Sequence, residues 1–261
     1  MNIYILYFLT GAMGGFIGGF LGLGGGIIFV PSLFFIFSYH NIHPDHIMQS
    51  AICTSLLCVV ISSFSSALKH KKNNLINWRL FRKMLPGILI GSLIGIIFIS
   101  YVPSRILTMM YGSFLVCISV YIFYDSQIEL KNIKELKYVG VFSFATGAIS
   151  SILGIGGGTM TTPYFKYHGE SLKRSIGTAA ACGVPIALTG IVSILLIDLI
   201  FNINDINIIS YLHLESFIII SLITMIFSYI GAGVTKISNT ILLKNIFGLT
   251  LILIGLVILF F

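Results

Sequence analysis

Apolar runs of about 20 residues or more, the length that crosses a hydrocarbon core of roughly 30 Å, follow one another along the whole chain with only short polar breaks between them. With 57% of its 261 residues hydrophobic, 9% charged and a mean hydropathy of +1.03, the chain leaves no stretch for a water-soluble domain. Inside a bilayer every backbone N–H and C=O must be satisfied internally, so spanning segments are helices or closed barrels. The run lengths here are those of helices. The sequence therefore predicts an all-α polytopic membrane protein that forms one membrane domain over 1–261.

Uninterrupted spans are expected over 45–68, 78–101, 104–124, 171–200, 211–236 and 240–261. Two further segments, 3–38 and 138–168, are each split by a glycine cluster with a proline a few residues later. Each Gly costs a helix about 1 kcal/mol relative to Ala, so neither segment is expected to run as one helix. The first segment has no Lys or Arg ahead of it, the first basic residue being Lys69, and reads as mature structure rather than a secretory signal.

The two clusters are copies of one motif, GFLGLGGGIIFVP over 19–31 and SILGIGGGTMTTP over 151–163. Aligning 11–31 with 143–163, an offset of 132, gives eight identities in 21 positions. The chain is thus an internal duplication, with repeat 1 over 1–125, repeat 2 over 138–261 and a cytoplasmic linker over 126–137. Each repeat holds one broken or re-entrant glycine-rich helix plus three transmembrane helices. Small residues recur four apart at Gly11, Gly15 and Gly19, at Ser143, Gly147 and Ser151, and at Gly87, Gly91 and Gly95, spacings that let helix backbones approach closely.

The net charge of +7 lies in short loops beside apolar spans, which fits membrane orientation and excludes a nucleic-acid partner. If each split segment enters the membrane and returns, one face collects 14 of the 15 Lys and Arg and the other only Arg105; a spanning first segment with only the second re-entrant gives the same count, and the duplication argues for treating both alike. If all eight segments cross, the asymmetry nearly vanishes. The re-entrant arrangement also inverts repeat 2 relative to repeat 1, as in many secondary transporters, and places both termini outside.

Irregular backbone at membrane depth occurs only where protein buries it or a water-filled cavity adjoins it. A short helix starts after each cluster, and the first N–H groups of a helix are unpartnered and partially positive. The clusters therefore suggest an anion site, for which Gly24, Gly25 and Gly26 and Gly156, Gly157 and Gly158 would supply backbone donors. Thr54, Ser55, Thr159 and Thr178 would add neutral side-chain donors, with Ser32, Thr161 and Thr162 nearby. Soluble nucleotide motifs fail: no Lys-Ser/Thr follows the glycines, and the third glycine of a dinucleotide fingerprint would fall on Ile27 or Thr159. A tight hairpin tip would need the same glycines without any ligand. Arg174 lies one turn before Thr178 and reads as an interfacial anchor. The cluster His40, His43, His46 with Asp45 lacks the spacing of a dedicated metal site. Cys53, Cys58, Cys117 and Cys182 lie in apolar runs without CxxC spacing and read as packing residues. No Asp or Glu lies deep in a span, Asp198 being close to a helix end, and no cofactor is suggested.

With Gly-Leu-Gly-Gly-Gly ahead of Pro31, Gly-Ile-Gly-Gly-Gly ahead of Pro163, the Thr54-Ser55 helix, and a basic stretch with Trp78 entering a Pro86-Gly87 helix, the chain resembles the TauE/SafE family of sulfite and organosulfonate transporters over essentially its whole length. The resemblance implies a transporter in the bacterial inner membrane moving sulfite, sulfoacetate or related sulfonates, with the glycine-rich segments near the substrate. One departure is Thr178-Ala179 where a pair like Thr54-Ser55 would be expected. A passive anion channel and an intramembrane sulfur-handling enzyme using the cysteines are the rival readings. The oligomeric state is left open, a homo-oligomer included.

Overall fold

The computed structural model describes residues 2–125, 138–201, 211–236 and 240–260. The linker expected over 126–137, with Lys131, Lys134 and Lys137, lies outside the described residues. Among the described residues the chain is all-helical: α1 (Ile3–Leu21), α2 (Gly26–Tyr39), a 3-10 turn (Pro44–His46), α3 (Ile47–Lys72), α4 (Trp78–Tyr101), α5 (Ser104–Asp125), α6 (Val139–Ile152), α7 (Gly158–Tyr167), α8 (Leu172–Phe201), α9 (Leu214–Val234) and α10 (Thr240–Phe260). Six stretches among the described residues are long and apolar enough to cross a membrane: Ile3–Leu21, Pro44–Lys72, Trp78–Ile99, Ser104–Tyr121, Leu172–Leu196 and Leu214–Val234. Five of these fall on predicted spans. The sixth is α1, which the sequence reading treated as one arm of a hairpin, while within α10 only Leu251–Phe260 stands out as a shorter apolar helix.

Both glycine-rich segments fold back on themselves. A Cβ added at Gly14 would press into the Phe29 ring, and one at Gly18 into the backbone of Gly25, so α2 returns antiparallel along the end of α1. At the other end of this pair, Tyr7 and Phe37 meet the same residue, His213, at ring separations of 6.4 and 5.2 Å. In the second segment Gly157 approaches Ser150, and Phe142 stacks on Tyr164 at 3.9 Å. Proline interrupts each returning helix, at Pro31 and Pro163. A helix-interior proline frees the carbonyl four residues earlier. For Pro31 that carbonyl belongs to Ile27, and the buried Tyr111 hydroxyl donates to it at 3.2 Å.

The small-residue rows sit where helices touch. Gly11, Gly15 and Gly19 lie against Ile220, Thr224 and Ser228 of α9, and Thr224 Oγ1 donates to Gly11 O at 2.9 Å. Gly87, Gly91 and Gly95 face Ser143, Phe144, Ala148 and Ser151 of α6. The first arm of each hairpin thus packs on a helix of the other repeat, α1 on α9 and α6 on α4. Gly91→Ala is expected to destabilise the protein by about 1–3 kcal/mol through overpacking, because the new methyl would strike Phe144 O. Ile90→Ala, next to it on the exposed face, is expected to change little; thermal unfolding of the two variants in detergent checks this.

The two ends of the bundle differ chemically. At one end Ser104 Oγ accepts from Met48 N–H, Gln49 Nε2 donates to Val102 O, and Arg105 is the nearby cation. At the other end, Lys173 Nζ donates to Lys236 O at 2.5 Å, and Lys69 and Lys72 lie over the Tyr229 ring. Large apolar side chains such as Ile90, Leu222, Met225 and Ile226 are exposed along the sides. A bilayer is the solvent that suits that surface.

Candidate functional site

Each tip is built from turns that only glycine adopts cheaply. Gly22 (φ 70°) ends α1 in the left-handed region, and Gly24 (φ 73°) and Gly25 (φ 80°) lead into α2. Gly154 (φ 67°) and Gly157 (φ 69°) do the same before α7. An L side chain in that region costs roughly 1–2 kcal/mol. The bonds repeat with the sequence offset of 132: Leu23 N–H donates to Gly18 O at 2.9 Å, and Ile155 N–H to Ser150 O at 2.8 Å.

The tips cross back to back in antiparallel register. Gly22 lies against Gly158, Gly24 against Gly156, and Gly26 against Gly154. A Cβ on Gly156 would sit 2.7 Å from Leu23 O, and one on Gly24 would be 3.1 Å from the Gly156 Cα. The most immediate demand on these glycines is therefore backbone touching backbone. Ser63 of α3 nests at this crossing, its Oγ 2.6 Å from where a Cβ on either Gly24 or Gly183 would be.

What the crossing leaves open is a set of donors. The N–H groups of Gly24, Gly25, Gly26 and Ile27, and of Gly156, Gly157, Gly158 and Thr159, find no acceptor among the described residues. The hydroxyls of Ser63, Thr146, Ser150, Thr159 and Thr162 are buried and equally without partners. A buried hydroxyl left unpaired costs about 1–3 kcal/mol. No Asp, Glu, Lys or Arg is buried among the described residues. The centre therefore offers unpaired neutral donors with no buried side-chain charge described beside them.

Not every predicted site residue joins it. Ser55 does: its Oγ donates to Gly154 O at 2.8 Å, fastening α3 to the second tip. Thr54 and Thr178 have their hydroxyls engaged elsewhere. Thr54 Oγ1 accepts from His213 N–H at 3.1 Å, and Thr178 Oγ1 accepts from Asn77 N–H at 2.9 Å while donating to Arg174 O. His213 and Asn77 are the N-caps of α9 and α4. Each threonine thus pins the start of a helix in the other repeat, Thr54 at the Arg105 end and Thr178 at the basic end. Arg174, half exposed, pairs with Glu170 at 3.7 Å, and Asn77 Nδ2 also donates to Glu170. His43 packs edge-on to His213, and His46 on Tyr211 at 4.9 Å. Cys53, Cys58 and Cys182 are buried free thiols.

The residues the sequence reading passed over are Ser63, Thr146 and Ser150. For the last two a signal existed in the repeat itself: the offset that aligns the glycines also sets Thr146 opposite Gly14 and Ser150 opposite Gly18. The departures from the repeat, rather than its identities, marked them. Ser63 had no such mark, being one of several serines in α3.

His213 Nδ1 accepts from Ser216 N–H at 3.2 Å, a cap that requires the unprotonated ring nitrogen. Partial burial lowers the His213 pKa against an opposing pull from Glu215, with His43 adding to the lowering. For a base whose folded pKa is depressed, the contribution to stability is complete above the ordinary value of about 6.5 and is lost as pH falls through the folded value. His213→Gln is expected to flatten that acid limb in a pH series of unfolding midpoints.

Crossing helices, an apolar flank and a glycine-rich centre define a polytopic helical membrane protein with broken helices at its core. The chain belongs to the sulfite exporter TauE/SafE family, whose model matches residues 7–258. It is 28% identical over 258 residues to a probable membrane transporter protein of Haemophilus influenzae, covering 96% of each chain. A probable membrane transporter protein of Methanocaldococcus jannaschii is 28% identical over 209 residues, 78% of each. Probable membrane transporter protein YunE of Bacillus subtilis is 27% identical over 184 residues, 61% of this chain and 66% of that one. No solved structure matches the chain.

Proposed function

We propose that this protein is a secondary transporter for a small oxyanion of sulfur, sulfite or an organosulfonate, which binds where the two glycine tips cross and moves by alternating access. The observation that carries this reading is the set of unpaired donors there: N–H groups at the starts of α2 and α7 and buried neutral hydroxyls, with no buried carboxylate beside them among the described residues. An oxyanion accepts from such donors, and helix N-termini favour its charge. Membership of the sulfite exporter TauE/SafE family supports the same substrate class. The repeats are inverted across a bacterial inner membrane, both termini and Arg105 lie outside, and the lysine-rich end faces the cytoplasm.

Purified protein in liposomes is expected to exchange labelled sulfite for internal sulfite or sulfoacetate with saturation and trans-stimulation. Gly25→Leu and Gly157→Leu are expected to stop the exchange. Absence of any sulfur-oxyanion exchange would end this reading, and flux that neither saturates nor shows counterflow would make the protein a channel.

A further inference from the structure

We infer that the anion site is one-sided: it lies within the second hairpin, at the start of α7, and is built by Thr146, Ser150 and Thr159 with the N–H groups of Gly157, Gly158 and Thr159. The inference rests on the transport reading and locates its substrate. The duplication makes the comparison direct, because every position in one tip has a counterpart 132 residues away.

In the first hairpin the space between the arms is filled. A Cβ on Gly25 would lie 2.6 Å from the Phe29 ring, and Gly14 closes on the same ring from α1. The starting turn of α2 is covered by an aromatic face, and the arm opposite it carries Gly14 and Gly18, which offer no side-chain donors. In the second hairpin Phe29 is replaced by Thr161, whose hydroxyl donates back to Gly157 O at 3.1 Å. Across from it stand Thr146 and Ser150, each fully buried and each with an unpaired hydroxyl. Ser150 Oγ is 3.3 Å from where a Cβ on Gly157 would be, at the first turn of α7, with the Thr146 methyl at 3.6 Å, so that a χ1 rotation would bring the Thr146 hydroxyl to the same point. Thr159, in that turn and 4% exposed, adds a third unpaired hydroxyl. Between its own arms the second hairpin therefore carries buried unpaired hydroxyls, Ser150 nearest to Gly157, whereas beside the first tip the unpaired hydroxyl, Ser63, comes from α3.

The donors suit a small anion carrying several acceptor oxygens on one atom, as sulfite and sulfonates do. The Ile186 side chain of α8 lies against Gly157 from the remaining side.

Affinity for sulfite and for methanesulfonate, measured by calorimetry on the full chain beside exchange flux in liposomes, tests the assignment. Hydrogen bonds to a charged partner contribute about 1.5–3 kcal/mol, so Ser150→Ala and Thr146→Val should each raise Kd roughly ten- to a hundredfold. Ser151→Ala, whose hydroxyl only bonds back to Ala148 O in its own helix, should leave Kd unchanged. Unfolding midpoints of Ser150→Ala and Thr146→Val should not fall below the parent's, since neither loses an existing hydrogen bond and each removes an unpaired buried hydroxyl. Unaltered Kd in Ser150→Ala and Thr146→Val, with flux intact, would overturn the one-sided site while leaving the transporter reading standing. A parent protein that exchanges no sulfur oxyanion would overturn the reading beneath it.

Discussion

Replacing Gly158 with alanine is expected to abolish exchange and sharply reduce the folded yield, although it adds a single methyl. The Cβ would be driven into the carbonyl of Gly22 and the Cα of Leu23, both main-chain atoms. Overpacking by one methylene already costs about 1–3 kcal/mol where side chains can shift; here neither tip can move without uncoupling the two hairpins. Gly140 is the matched control, since a Cβ there meets nothing within 4 Å. Gly140→Ala should behave as the parent in size-exclusion profile, unfolding midpoint and flux. Equal behaviour of the two variants would show that the tips do not touch.

The second large effect concerns the paired threonines. Thr178→Val keeps the shape of the side chain but leaves Asn77 N–H without its acceptor at the basic end, and Thr54→Val does the same to His213 N–H at the Arg105 end. Leaving such a partly buried N–H unpaired costs about 1–3 kcal/mol, and a conformer in which the helix start is released to water escapes that cost. Each substitution should shift the balance of conformers by roughly five- to a hundredfold, in opposite senses. Labelling of single cysteines introduced near each end should show Thr178→Val more accessible from the basic end and Thr54→Val more accessible from the Arg105 end. Parallel changes at both ends would mean that the two pins are structural fastenings without a gating role.

How much of this was legible beforehand follows the physics of each feature. Run length and hydropathy suffice for helices and spans, because the bilayer leaves the backbone few options. The duplicated glycines located the tips, since φ values near 70° at Gly22, Gly25, Gly154 and Gly157 leave a signature in residue type. Pairing was not legible: Gly11, Gly15 and Gly19 announce a close contact, but only the three-dimensional arrangement shows that α9 makes it. Hydroxyl roles were least legible of all. Thr54 and Thr178 looked like ligands by position, and the structure shows both bonded to helix caps of the other repeat. A threonine that pins a cap and one that waits for an anion look alike until the neighbouring N–H groups are placed. The glycine break at Gly22 also gave no measure of how far α1 reaches before it: its 19 residues bring Phe20 O to accept from Thr235 at 2.7 Å near the basic end.

Oxyanion binding at the crossing of the two tips, on the side of the second hairpin, can be read directly from diffraction. Selenite matches sulfite in shape and charge and carries a strong anomalous scatterer. A selenium anomalous map from crystals grown with selenite should show one peak at the first turn of α7, within hydrogen-bond distance of Ser150 Oγ and the Thr159 N–H. A map with no peak between the tips, or with selenium held only by lysines on the basic face, would contradict the account.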